Sequence, residues 1–545
     1  MRFLISALSI ITLGLGLAGC PGGGGGGGGD STPTFAVATT AANFGVVGNF
    51  YTSTLATTGG TAPLTWTVFG GALPAGLNLT NPATGEVTGI PTLPAGNFTA
   101  TFTVTDSTGK TAIGSVLFAV HPKTDRVSVN TSGNSVAGSN TEPSINQLNG
   151  RFIAFVSTGN LLPGVPAVTG TQVYMHDRQI GQPSLVSRDN NTSTVNQSNG
   201  QSTAPAISAD GRFVTFVSQA TNLLAPAVPA VVVAGQVYMR DTQTGVTSLI
   251  SRDSSAGLVV GNAACSEPSI SGDGRYVTFV SSATNFVANV SGTQVYLRDT
   301  QTGQTSLVSR INNNASVVEG DAASTAPSLS ADGSTVTFMS QATNLLVPTV
   351  PSVTAGQVYV RNLNTGVTSV VSRDSAMGLV VGNAASSAPS ISGDGRYVTF
   401  MSTASNLVAS VSGSQVYLRD TLTDQTSLVS KDNNPSPNPG GGVSSTPAIS
   451  TDGRYVTFVS LSTNLLAPGT PSVNGPQVYL RDTTGNLTSL VSQDNSGNPS
   501  TAGSNNLTPS ITTSGTFVAF VSSATNLVTA PPAAATLDIY VRALP

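Results

Sequence analysis

Apolar and polar residues alternate along most of this chain in short runs with no helical periodicity beyond the first twenty residues. Runs such as Phe213 to Val217, Tyr276 to Val280 and Tyr397 to Met401 are β-branched and aromatic and are bounded by Gly, Asp, Asn and Ser, which predicts strands separated by turns. These runs are apolar or Thr on both alternating faces, as expected of strands packed between two neighbours. The pattern predicts an all-β protein.

From residue 124 to 545 the runs repeat. A Pro-Ser/Ala-Ile/Leu anchor stands at Pro143, Pro205, Pro268, Pro327, Pro389, Pro447 and Pro509, with steps of 62, 63, 59, 62, 58 and 62 residues. Each anchor is followed by a turn, a RYVTFVS-type run, a variable stretch, a QVYLRD-type run, a short turn and a TSLVSRD-type run. Four strands repeated seven times predict a seven-bladed β-propeller. The seventh unit stops at its third strand, LDIYVRALP (537–545), while an orphan fourth-strand pattern, TDRVSVN (124–130), precedes the first unit. Pairing these two segments would complete the seventh blade and leave no open edge. The turn pairs Asp210-Gly211, Asp273-Gly274, Asp332-Gly333, Asp394-Gly395 and Asp452-Gly453 fall between apolar runs, where residues tolerant of positive φ serve a tight hairpin. We read them as structural turns. The stretch GLVVGNAA occurs at 257–264 and again at 378–385, so units two and three look like a duplicate of units four and five.

Residues 34–120 carry a different alternation, in PLTWTVFG (63–70), NFTATFTVTD (97–106) and AIGSVLFAV (112–120), which predicts a β-sandwich with Trp66 as its core anchor. The elements LPAGL, TGEVTGIPT and FTVTDSTG, between 73 and 109, resemble in order and spacing the immunoglobulin-like modules of bacterial surface proteins. That resemblance implies a spacer or adhesive role without catalysis. A linker at 121–123 joins the module to the propeller. The repeats resemble the PD-type, WD-like repeats of TolB-like propellers, in which Asp often precedes the Ile-Tyr of the third strand. Here Gln stands at 172, 236, 294, 357, 415 and 477, and only Asp538 keeps the acid. A neutral amide is a weak ligand for a hard cation, so no cofactor is expected. Asp106, with Glu86 in the same module, and Asp538 are the calcium candidates, and isolated carboxylates fall short of the 6–8 oxygens calcium takes.

Charge narrows the function. Only 8% of the 545 residues are charged and the net charge is -4, without a basic cluster, so nucleic acid is not an expected partner. With only His121 and His176 available, and Glu86, Glu142, Glu267 and Glu319 dispersed, neither a Ser-His-Asp or metal-histidine site nor a glycosidase pair is nominated. The chain reads as a non-enzyme. The longest and most varied loops lie at one end of the predicted propeller, and loops on a rigid scaffold are where recognition usually sits. The candidate contacts there are Asn222, Leu223, Leu258, Val259, Asn344, Leu345, Leu379, Val380, Asn464 and Leu465. Their low charge suits a protein or glycan ligand. The other readings are a calcium-assisted adhesin, a scaffold in an envelope complex and a propeller hydrolase; oligomeric state is left open.

The first nineteen residues, with one cation at Arg2 and an apolar stretch from Phe3 to Leu17, form an export signal. Leu17-Ala18-Gly19-Cys20 resembles the lipobox of bacterial lipoproteins, which implies cleavage before Cys20 and a membrane anchor through lipid on its thiol. Residues 20–33, with eight consecutive glycines, form a tether with a reach of about 20 Å. The expected location is the cell envelope, at the outer membrane or cell surface. Replacing Cys20 with Ser should abolish acyl labelling of the expressed protein; labelling that persists would place the anchor elsewhere.

Overall fold

In a computed structural model, the described residues are 33–544 except 164, 166–169, 192–194, 225–234, 256, 313–316, 347–354, 376–379, 435–437, 467–472, 502 and 530–535. Cys20, the tether and Leu379 lie outside them. Every regular element among the described residues is a β-strand.

The N-terminal unit is a sandwich. One sheet orders the strands Gly45–Val46, Thr111–His121, Gly96–Thr105 and Thr65–Gly71, and faces a three-stranded sheet of Tyr51–Thr54, Glu86–Gly89 and Leu77–Asn81. Trp66 is 1% exposed between them and meets Phe102 edge-on at 6.3 Å. The last strand runs through His121, so the connection to the repeats shortens to Pro122-Lys123.

Seven four-stranded antiparallel sheets follow, one for each repeat, in the stacked arrangement of a β-propeller. The second sheet is typical, with strands Ser202–Ile207, Phe213–Ser218, Gln236–Asp241 and Val246–Leu249 in that order. Strands apolar on both faces need a cover on each side, and each sheet finds it on its neighbours. One core cluster mixes Val156, Val173 and Val186 of the first sheet with Ile207, Val214 and Phe216 of the second. Another joins Ile153 and Phe155 of the first sheet to Val521 and Ile539 of the seventh, together with Val127. The seventh sheet draws its outer strand, Thr124–Arg126, from the start of the repeat region, with Asp125 opposite Val541.

The repeated turn has a structural use at nearly every position. In the third sheet the Ser271 hydroxyl donates to Asp273 Oδ1 at 2.6 Å, and the Tyr276 amide donates to the Ser271 hydroxyl. Gly274 alone takes a positive φ, 76°, and a Cβ there would meet the Phe213 ring of the preceding sheet at 2.2 Å. The aspartate therefore supplies acceptors, and the positive φ expected of the Asp-Gly pair falls on the glycine alone. Arg275 stacks on Tyr276 at 4.7 Å and forms a fork onto Asp299 at 3.1 and 2.8 Å, tying the first turn of the sheet to the second. Arg151, Arg212, Arg396 and Arg454 repeat the fork on Asp177, Asp241, Asp420 and Asp482.

Two further repeated links are internal. The six third-strand glutamines are buried, and in most of them the Oε1 accepts from a fourth-strand serine, as Gln294 does from Ser309 at 2.6 Å. In the seventh sheet Asp538 takes this place, accepting from Ser128 at 2.8 Å and Asn140 at 2.9 Å. The buried arginine of the third strand donates to the chain leaving the preceding sheet, as Arg298 does to the Asp253 carbonyl at 2.7 Å. Cys265 is 2% exposed in a serine position of this network, and burial pushes its thiol up to about 11.

Two expectations test this account. Deleting 124–130 removes Val127 and the partner strand of residues 540–542, so the melting midpoint should fall by about 10 °C or more; an unchanged midpoint would sink the pairing. The second concerns acid. Hydrogen bonds from Arg275, Arg396 and Arg454 hold Asp299, Asp420 and Asp482 below the ordinary 3.8, Asp482 at about 2. At Asp241 burial is the largest influence and acts upward, but the hydrogen bonds from Arg212, Thr244 and Gln243 together outweigh it and the group also sits at about 2. Because the folded values lie below the unfolded one, this stabilisation is present above about pH 4 and is lost as pH falls towards 2. Urea unfolding at pH 7 and pH 2.5 should show the loss, and replacing the four arginines with Gln should shrink the difference between the two.

Candidate binding surface at the axis

The first strands of the seven sheets touch in succession, and the first sheet's strand also touches the seventh's. Side-chain links reinforce these contacts. Ser510 Oγ accepts from the Ile145 amide at 3.2 Å, Ser144 from Ile207 at 3.3 Å, Ser269 from Leu329 at 3.1 Å and Ser390 from Ile449 at 3.3 Å. The anchor serine is thus an inter-sheet bond.

At the short-turn end the first turns are knitted to one another through the backbone. Leu148 donates to Ala209, Ala209 to Gly272, Gly272 to Ala331, Asp332 to Gly393, Gly393 to Thr451, Asp452 to Thr513 and Thr513 to Gln147, over 2.8–3.4 Å. Thr451 also donates to Gln147 Oε1 at 3.0 Å and meets the Thr513 hydroxyl at 3.2 Å. This end is further occupied by the sandwich. Arg178, 1% exposed, is held between the Phe44 and Phe517 rings at 4.5 and 4.6 Å. His121 lies with Nδ1 2.6 Å from Asp125 and Nε2 2.7 Å from the Arg178 carbonyl, and Gln179 donates to the Ala42 carbonyl at 2.6 Å. Burial lowers Arg178 to about 10 and His176 beside it to about 4, so the buried His176 ring is neutral at pH 7. Both histidines belong to this junction.

Along the axial wall each first strand carries a bulge, and the residue before the anchor proline is left-handed in all seven sheets: Glu142, Ala204, Glu267, Ala326, Ala388, Thr446 and Thr508, with φ from 41° to 55°. None is glycine, two are β-branched, and backbone strain of this kind costs about 1–3 kcal/mol per residue. Glu142, Glu267, Thr446 and Thr508 are exposed. The amide of Ala204 donates to Glu142 Oε2 and that of Ala326 to Glu267 Oε2, each at 2.6 Å and each across a sheet junction. Two of the four glutamates that look dispersed in the sequence, Glu142 and Glu267, therefore occupy equivalent positions in sheets one and three. The recurring residue before each anchor proline was the available signal.

The loop candidates divide. Leu223, Leu345 and Leu465 are 1%, 1% and 0% exposed and fill the cores beneath the loops, so they are not presented to a ligand. Asn222, Asn344 and Asn464 each bind a backbone amide and a backbone carbonyl of the neighbouring between-sheet loop, for example Asn222 with the Asn199 amide and the Gln197 carbonyl. They are clamps. Leu258, Val259 and Val380 are exposed by 39%, 44% and 45%, but Ser254 of the same loop is bonded to Thr305 on the outer strand of the next sheet, which puts this loop against the rim.

Of the calcium candidates, Asp106 is satisfied by protein donors, whereas Asp538 accepts only at Oδ1, its Oδ2 lying 3.8 Å from Arg126. Asp106 accepts from Thr61, from Lys110 and twice from Thr108, and its pKa is lowered, chiefly by the Thr108 hydroxyl. Asp538 is fully buried and raised by that burial. Among the described residues no group of three His, Cys, Asp or Glu side chains is arranged to hold a metal. A cleft of about 940 Å³ opens between the sandwich and the seventh sheet, lined by Val47, Leu93, Pro94, Lys123 and Val528 among others.

Residues 30–121 match the family model described as "Putative Ig domain". No curated protein matches the chain. Among solved structures, the chain is similar to a TolB-type protein from Agrobacterium tumefaciens, with 15% identity, 66% of this chain and 96% of that one covered, and a TM-score of 0.34. The β-propeller domain of the Trilobed protease from Pyrococcus furiosus matches at 11% identity over 75% and 94%, with a TM-score of 0.43. The α-L-arabinofuranosidase Arb93A from Fusarium graminearum matches at 11% over 67% and 97%, with a TM-score of 0.30. Likeness at this level carries nothing about activity.

Proposed function

We propose that this is an exported, lipid-anchored envelope protein in which an immunoglobulin-like spacer carries a seven-bladed propeller, completed by strand 124–130, that acts as a binding platform without catalysis. The ligand, a protein or a glycan, meets the axis from the long-loop end. One observation carries the reading: seven strained, non-glycine backbone positions line the axial wall, four of them exposed, while the opposite end is knitted shut by its own turns and bears the sandwich. Strained backbone kept at the bulge of every repeat fits a surface selected for contact.

The sandwich suits the role of spacer. Its last strand runs eleven residues, about 36 Å, from Thr111 to His121 at the propeller junction. The entering strand Ala36–Val37 lies by the Thr111 end, where Val37 touches Gly114, so the described chain enters the sandwich at the end away from the propeller. Calcium has no part in this reading.

The test is capture from detergent-solubilised envelope, and on a glycan array, by the full-length protein, with and without chelator. Wild type should retain a ligand irrespective of chelator, and a variant with 461–476 shortened beside the mouth should retain less. Capture unaffected by that change would move the working surface elsewhere, and capture that requires calcium would favour an adhesin.

A further inference from the structure

The two glutamate bridges show what the axial amides can hold. In each, a carboxylate on one sheet takes the amide of the equivalent residue on the next sheet at 2.6 Å, at the short end for an N–H donor, as a charged acceptor draws it. The shared bulge and the narrow spread of φ give the seven positions the same backbone shape. In the other five junctions the residue in the glutamate's place is Ala204, Ala326, Ala388, Thr446 or Thr508, none long enough to make that bridge. The amides of Ala388, Thr446, Thr508 and Glu142 therefore form a continuous arc over sheets five, six, seven and one with no side-chain acceptor. Exposed hydroxyl-bearing residues, Thr446 and Thr508, stand in the middle of it.

We propose that this arc is a carboxylate-binding site that takes an acidic side chain of a partner protein. The inference rests on the axial reading of function above and names its chemistry. Backbone N–H groups presented at equivalent junctions along one wall favour an anion, and Glu142 and Glu267 demonstrate the fit from within the same ring. The charge of Glu142 is turned towards the second sheet and that of Glu267 is satisfied at the fourth, away from the middle of the arc. A protein side chain is favoured over a sugar acid because none of the seven first strands contains an aromatic residue on which a sugar face could stack.

The design of the ring supplies its own test. Ala388→Glu and Thr446→Glu would place internal carboxylates on the amides of Thr446 and Thr508, copying a side chain already tolerated at 142 and 267. The probe is an N-acetylated, C-amidated Gly-Glu-Gly-Glu-Gly peptide, with its Gln analogue as control, titrated into the full-length protein by calorimetry. Wild type should bind the Glu peptide at least tenfold more tightly than the Gln analogue. The A388E/T446E variant should lose that preference with an unchanged or higher melting midpoint, and the A388Q/T446Q pair should retain it. Equal binding of the two peptides, or preference surviving in A388E/T446E, overturns the proposal. Binding of polygalacturonate in place of the peptide, lost in the same variant, overturns the choice of a protein side chain. Should A388E/T446E fail to fold, Thr508→Glu, which fills the Glu142 amide, applies the same test. Envelope ligands captured equally by wild type and the self-filled variant would leave the platform standing and remove the arc as its site, whereas capture by neither would fail the platform itself.

Discussion

A four-stranded sheet with apolar side chains on both faces has no stable existence alone, and that constraint governs the repeat region. Burial of apolar area is worth about 25 cal/mol per Å², but here the area becomes buried only when the next sheet arrives. The clusters show this directly, since each draws its members from two consecutive sheets and one draws them from the first and the seventh. Within each sheet a Phe on the second strand stacks on a Tyr of the third, from Phe400–Tyr417 at 5.7 Å to Phe155–Tyr174 at 6.3 Å, which sets a common layer thickness.

The small charge content follows from the same constraint. With both faces of most strands buried, few sites remain where a charge would be solvated, and those present are largely used as links. Forked arginine–aspartate pairs join the two short turns of a sheet, and buried arginines fasten one sheet to the exit of the one before. In the first sheet that arginine position is His176, neutral at pH 7, at the place where the sandwich meets the repeats. The junction with the sandwich uses Arg178 one turn further, stacked between rings from both units.

These links also divide the molecule functionally. The short-turn end is consumed by backbone bonds between turns, by the arginine forks and by the sandwich. The axial wall is different, because its bulges leave backbone donors pointing across sheet junctions, and only two of the seven junctions carry a glutamate to meet them. A surface of this kind offers placed hydrogen-bond donors rather than apolar area or a strong electrostatic field.

The strand order, the period and the partner for the incomplete seventh unit were legible from the sequence, because a two-residue side-chain period and recurrent turns are local properties that survive without knowledge of contacts. Trp66 as a core anchor and the structural role of the Asp-Gly turns were legible for the same reason. Other features came from tertiary structure alone. Leu223, Leu345 and Leu465 read as loop residues but enter the core, because the chain folds back over the strand ends before it leaves the sheet. Asn222, Asn344 and Asn464 read as candidates for contact, but their partners lie on loops 23 or 25 residues away in sequence. Glu142 and Glu267 are 125 residues apart and became comparable only when the stacking of sheets set both on one axial wall. Local periodicity determines which residues form strands, whereas the neighbours of a strand's two faces, and the direction of an amide at a bulge, are decided only when the sheets assemble.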